Sequence, residues 1–182
     1  MENKVLLDSE LLNITINRLC YQLIENHHSF DYTVIIGVQP RGIYLSQRIH
    51  ERLIEITQNK NIHHGILDIT FYRDDFRTSN KPLAANVNDM PFIITNKKVI
   101  LVDDVSYTGR SVQAALSALN HYGRPESIKL LVLVDRHFNR QLPIQPDYIG
   151  VSVEALDEAY VRVDWATEEK NTDKILFFPQ KQ

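Results

Sequence analysis

The chain has 182 residues, 43% hydrophobic, 24% charged and 9% aromatic, which suits one domain with a sizeable core and excludes disorder, collagen-like repeats and coiled coil for the chain as a whole. A net charge of −3 and a sequence pI of about 6.1 argue against a chain dedicated to nucleic acid, while leaving room for a local basic face. The lone Cys20 permits neither an internal disulfide nor a cysteine-based zinc site, no apolar run reaches the roughly 20 residues of a membrane span, and "MENKVLLDSE" lacks the apolar core and cleavage site of a secretory signal, so a cytoplasmic protein is expected.

Asp8 or Ser9 can cap a first helix, Glu10 to Asn26, on which Ile16, Leu19, Cys20, Leu23 and Ile24 recur at helical spacing. Cys20 falls on its apolar side and is expected in the core. "TVIIGV", Thr33 to Val38, is a continuous apolar run and reads as a buried strand. A second helix follows Gly42, with Leu45, Ile49, Leu53 and Ile56 on one face. "ILDITFY", Ile66 to Tyr72, alternates apolar and polar residues and reads as a half-buried strand. Residues 73 to about 91 are polar, and a long segment of this kind in a compact domain suggests a lid. Lys97 to Val102 and Ile128 to Val134 are further buried strands, separated by a helix marked by Val112, Ala115, Leu116 and Leu119 that Gly123 can end. The alternation predicts an α/β fold, a mainly parallel sheet with helices on both faces. After Asp135 come Pro143, Pro146 and Gly150 and short β-like pieces, "YIGVSV", "AYVRVDW" and "KILFF". They read as a small cap or extra sheet edge within one domain, with the core at about 1–135 and a hood at about 136–182. His27, His28, His63 and His64 lie on loops or helix ends with no acidic or cysteine partner at metal-binding spacing, and are expected at the surface.

"VILVDDVSYTGRSVQAAL", Val99 to Leu116, carries the chemistry. In an open α/β sheet ligands bind at the carboxyl ends of the strands, where Asp103 and Asp104 stand. Both can serve one ligand only if the strand ends or twists there, because consecutive side chains point to opposite faces. The following loop, Val105, Ser106, Tyr107, Thr108, Gly109, Arg110 and Ser111, leads into a helix N-terminus, whose backbone N–H groups suit a phosphate. The carboxylates need donors or a metal, so they suit sugar hydroxyls, or hydroxyls shared with Mg²⁺. A phosphate beside a diol describes a ribose 5-phosphate. The other phosphate fingerprints fail. Gly37 and Gly42 have Walker spacing, but Ile43 and Tyr44 replace its Lys and Ser/Thr, and no G-x-G-x-x-G occurs.

"VILVDDVSYTGRS" resembles the phosphoribosyl pyrophosphate (PRPP) motif of type I phosphoribosyltransferases. More closely, "GVQPRGIYL", "LDITFYRDD", "RTSNKPL", "GRPESIKLLVLVDR" and "LPIQPDYIG", with their spacing, resemble the PyrR family, pyrimidine-operon regulators with uracil phosphoribosyltransferase activity. The resemblance covers nearly the whole chain. It implies a type I phosphoribosyltransferase fold with a small C-terminal hood and the reaction uracil + PRPP → UMP + pyrophosphate, with Mg²⁺ accompanying PRPP. It implies that Asp103 and Asp104 hold the ribose hydroxyls and that residues 105–111 cradle the 5-phosphate. Gln39, Pro40, Arg41 and Gly42 correspond to the pyrophosphate loop, with Arg41 as the forked cation. The Gln39–Pro40 bond is a position where cis geometry is inexpensive. Arg73, Arg77 and Lys81 would close the lid over pyrophosphate, and Asp135 and Arg136 would border uracil.

The family's regulators also bind messenger RNA through a basic face of a dimer, which implies a homodimer or larger assembly and a pyrimidine mRNA leader as a second partner. Here the first helix keeps only Arg18 as a cation. "HFNRQLPIQ" carries one residue more than the family's usual segment, and Gln145 replaces an arginine. His137, Arg140 and Arg18 are the candidates for an RNA face, and fewer cations weaken it. A phosphoribosyltransferase for another base, such as a purine, is the remaining alternative.

Overall fold

The computed structural model describes residues 4–73, 88–138, 140–154, 159–166 and 172–179. In chain order they form β1 (Lys4–Leu7), α1 (Ser9–His27), β2 (Thr33–Val38), α2 (Gly42–Thr57), β3 (His63–Leu67), a single 3-10 turn (Thr70–Tyr72), β4 (Lys98–Ser106), α3 (Arg110–Leu119), β5 (Ser127–Arg136), β6 (Tyr148–Val153), β7 (Tyr160–Asp164) and β8 (Lys174–Phe178). The five strands β3-β2-β4-β5-β6 make one parallel sheet in that order. The strands β1-β8-β7 make a separate antiparallel sheet.

The parallel sheet is covered on both faces, and the alternation of side chains along its strands divides the core in two. Ile35, Ile100, Val102, Leu131 and Leu133 meet α1 and α2 and the small sheet's Val161, Val163 and Ile175. Val34, Ile36, Val99, Leu101, Leu130 and Val132 meet Val112, Ala115 and Leu119 of α3. The Asp8 side chain accepts from the N–H of Leu11 and starts α1. Leu12, Ile16, Leu19, Cys20 and Leu23 form its buried stripe. Cys20 is fully buried, and burial pushes its thiol up to about 12 against a smaller opposing effect of Arg52, so it is an inert core residue.

Three readings of the sequence need correction. The strand expected over Ile66 to Tyr72 ends at Leu67. The Asp68 carboxylate accepts from both the backbone N–H (2.9 Å) and the hydroxyl (2.6 Å) of Thr70, which turns the chain into the 3-10 turn and leaves Phe71 exposed. The division expected at residue 135 also shifts. β6 is the edge strand of the main sheet beside β5, and the hood is built from both ends of the chain, with β1 paired to β8. His27 and His64 are half-buried, not surface residues. His27 lies 3.1 Å from both the Thr33 and the Tyr148 hydroxyls, and His64 sits 3.0 Å from the Ser46 hydroxyl and stacks on His50. Burial, then neighbouring positive charge, lowers each to about 4, so both are neutral near pH 7. His28 and His63 are exposed. Among the described residues no cluster of histidine, cysteine or acid could cage a metal.

Candidate active site

β4 does not stop at the two acids. It pairs with β5 through Asp103↔Val132, Val105↔Val134 and Ser106↔Asp135, so the strand continues past the carboxylates to Ser106. They diverge as alternation requires. Asp103 lines a cavity of about 550 Å³ together with Arg73 and residues 105–112. Asp104 turns to Arg41, whose Nε donates to its Oδ2 at 2.7 Å. Each carboxylate also accepts from the next backbone N–H, Asp103 from Asp104 (2.9 Å) and Asp104 from Val105 (2.8 Å), which draws both toward the strand's carboxyl end. Burial first, and the adjacent Asp104 charge second, hold the Asp103 carboxyl well above the usual carboxylate range. A donor-rich or cationic ligand would favour the ionised Asp103 carboxylate.

The loop from Ser106 curls over the same cavity. Gly109 holds φ 89°, a left-handed conformation that a side chain would strain, and serves as N-cap of α3. The Gln113 N–H donates to its carbonyl to begin the helix. The loop and the α3 N-terminus therefore turn N–H groups and the positive end of a dipole toward the cavity that holds Asp103.

Across the sheet, the bond between Gln39 and Pro40 is cis. Gln39 is held by its N–H on the Leu67 carbonyl (2.9 Å), and Arg41 begins α2. Besides Asp104, Arg41 donates from Nη2 to the Val163 carbonyl of β7, which ties the hood to this loop. Burial opposes the Arg41 charge, but the hydrogen bond and charge of Asp104 outweigh it and raise its pKa further. Gly42 is a packing necessity. A Cβ there would meet the Val102 carbonyl oxygen at 2.5 Å and the Asp103 Cα at 2.9 Å.

Asp135 and Arg136 lie at the end of β5, both buried. Arg136 sits 3.9 Å from the Tyr107 ring centroid and donates to the Ala159 carbonyl, and its Nε has no hydrogen-bond partner among the described residues. Arg140 does not face outward. It pairs with Asp135 and donates to the Ser106 hydroxyl. Arg18 donates to the carbonyls of Ile149 (3.1 Å) and Gly150 (2.5 Å), tethering α1 to β6. His137 is exposed, its Nδ1 3.7 Å from Asp135. The lid candidates Arg77 and Lys81 lie outside the described residues, as does most of the 73–91 segment.

The chain matches the model of the phosphoribosyl transferase domain over residues 2–168. It is 44% identical over 179 residues to the bifunctional protein PyrR of Bacillus cereus (strain AH820), covering 97% of this chain and 98% of that one. The chain belongs to the PyrR family of phosphoribosyltransferases. PyrR of Bacillus thuringiensis subsp. konkukian (strain 97-27) is equally similar, with the same coverage. Solved structures resemble this PyrR-family chain in fold. A hypoxanthine phosphoribosyltransferase from Staphylococcus aureus has a TM-score of 0.66 at 20% identity, over 87% of this chain and 80% of that one. A hypoxanthine-guanine phosphoribosyltransferase from Bacillus anthracis has a TM-score of 0.65 at 18% identity, over 97% and 98%. The PyrR-family chain thus has the type I phosphoribosyltransferase fold.

Two contributors to this site escape a reading of the sequence. The Tyr107–Arg136 stack joins the 105–111 loop to the end of β5, and no local pattern marks it. The inward course of Arg140 follows from Leu142 and Ile144, which lie within 3.6 Å of where a Gly109 Cβ would stand and so fold the segment over the loop. The apolar "LPI" beside a polar run is the one hint of that in the sequence.

Proposed function

We propose that this chain transfers the phosphoribosyl group of PRPP to uracil, giving UMP and pyrophosphate, in the cytoplasm and as a homodimer or larger assembly. The observation that carries the PRPP end is the convergence on one cavity of Asp103 and the anion-binding loop 105–111. The loop and the α3 N-terminus take the 5-phosphate. Asp103 and Asp104 accept hydrogen bonds from the ribose hydroxyls. Arg41, its guanidinium half-exposed beside Asp104, takes the departing pyrophosphate, with Arg73 at the cavity rim. The anomeric C–O bond breaks as the C–N bond to the base forms, and the proton of that ring N–H passes to the departing pyrophosphate or to water. The developing cation at the anomeric carbon is stabilised by the Asp104 carboxylate, and the leaving anion by Arg41 beside it.

The donor set also fits Mg²⁺ delivered with PRPP. Two carboxylates at the strand end supply hard oxygens, while among the described residues no third acid or histidine completes a cage, so the remaining ligands would come from substrate and water. When bound, that ion neutralises charge on the pyrophosphate. Asp135 and Arg136, at the end of β5, border the base. Binding of an mRNA leader draws less support, because Arg140 turns inward to Asp135 and Ser106, and the exposed Arg18 commits its Nη2 to the carbonyls of Ile149 and Gly150.

The test is an initial-rate assay with PRPP, Mg²⁺ and uracil, guanine or hypoxanthine. UMP formation from uracil, with purine rates lower by about 100-fold or more, is the expected result, a ratio within reach of a few misplaced hydrogen bonds. Faster turnover of a purine would overturn the choice of base and leave the PRPP site standing.

A further inference from the structure

The segment after β5 is fastened to the outer side of the phosphate loop. Arg140 forms an ion pair from Nη2 to Asp135 Oδ1, donates from Nη1 to Ser106 Oγ, and lies 3.5 Å from the Tyr107 carbonyl. The N–H groups of Gln141 and Leu142 donate to the Thr108 carbonyl at 3.1 and 3.3 Å. The Gln141 side chain accepts from Arg110 Nε at 2.6 Å. Ser106 and Asp135 are direct neighbours on paired strands, so one guanidinium bridges the phosphate loop and the base border.

We propose that Arg140 is a positioning residue that sets affinity for the 5-phosphate end of the substrate. The proposal rests on the PRPP reading above. Two physical effects support it. Arginine only donates, so the Ser106 hydroxyl must accept from Arg140 and keeps its own proton to donate to an anion in the cavity it lines. Arg140 also neutralises Asp135, whose side chain is 2% exposed and lies beside the loop meant for an anion. Without Arg140 the carboxylate is left buried, with only the largely exposed His137 as a cation near it among the described residues. A buried uncompensated charge is costly, and one of the same sign as the ligand repels it. The Arg140 side chain is 19% exposed, so its charge acts inward and not on a free surface.

The experiment measures KM for PRPP at saturating uracil, with calorimetric PRPP binding alongside. Arg140→Gln should raise the KM and the dissociation constant about tenfold or more while kcat stays within about threefold, the split expected when binding and not chemistry is lost. Arg140→Lys restores the charge but not the fork, and should fall between the two. Adding Asp135→Asn to Arg140→Gln should recover at least about threefold in KM for PRPP, because the stranded charge is gone. A purely structural role would lower the active fraction and leave KM unchanged. An unchanged KM in Arg140→Gln, or no recovery in the double variant, overturns the proposal. Should Arg140→Gln fail to fold, an unchanged KM in Arg140→Lys does the same. Absence of PRPP binding in the wild-type chain would instead remove the proposed function itself.

Discussion

Asp104→Asn is expected to cut kcat for nucleotide formation by about two to three orders of magnitude while the protein stays folded. Under the proposed function the carboxylate has two roles that an amide cannot take over. It places a full negative charge where the anomeric carbon turns positive. It also fixes Arg41, through the 2.7 Å bond from Nε, at the position where pyrophosphate would leave. Asparagine keeps the shape and the acceptor oxygen for the Val105 N–H, now 2.8 Å away. The Arg41 side chain is 42% exposed, so loss of the ion pair itself costs about 1 kcal/mol or less of stability. Initial rates measured with a thermal melt separate the two effects. A variant that folds and keeps full activity would remove Asp104 from the site.

Gly42→Ala should have a comparable effect by a different route. Helix α2 starts against the backbone of β4, and the new methyl would collide with the Val102 carbonyl oxygen and the Asp103 Cα, neither of which can rotate away. The start of α2 must lift from β4, carrying Arg41 off Asp104 and disturbing Asp103 together. Overpacking of this kind costs about 1–3 kcal/mol of stability. The rate should fall further than that loss of folded protein explains, because a displacement of about 1 Å at a reacting centre can cost 100-fold. Urea unfolding gives the first quantity and kcat per folded molecule the second. An alanine variant with wild-type kcat would show that α2 can shift without moving Arg41.

The parts of this molecule legible in the sequence are those encoded locally. The apolar run before Asp103, the Thr108-Gly109 turn and the stripe of α3 are neighbours in sequence, so strand, loop and helix could be read in order and the cavity inferred. The parts that were not legible depend on distant partners. β1 shows its role only when β8, from the other end of the chain, lies beside it. His64 looks like a loop histidine until Ser46 and His50 of α2 enclose it. The Asp68 turn broke a good alternating pattern with two hydrogen bonds that no periodicity contains. Arg140 is the instructive case. Its charge suggested an outward face for RNA, and its partners Asp135 and Ser106, on two other stretches of chain, turn it inward.

A divided grip on one ligand would be seen directly in a crystal structure of the chain with PRPP and Mg²⁺. The 5-phosphate should lie within hydrogen-bonding distance of the backbone N–H groups of residues 107–111, the ribose hydroxyls on Asp103 and Asp104, and the pyrophosphate beside Arg41. A 5-phosphate seated at the Gln39–Gly42 loop, or ribose hydroxyls turned away from both carboxylates, would contradict it.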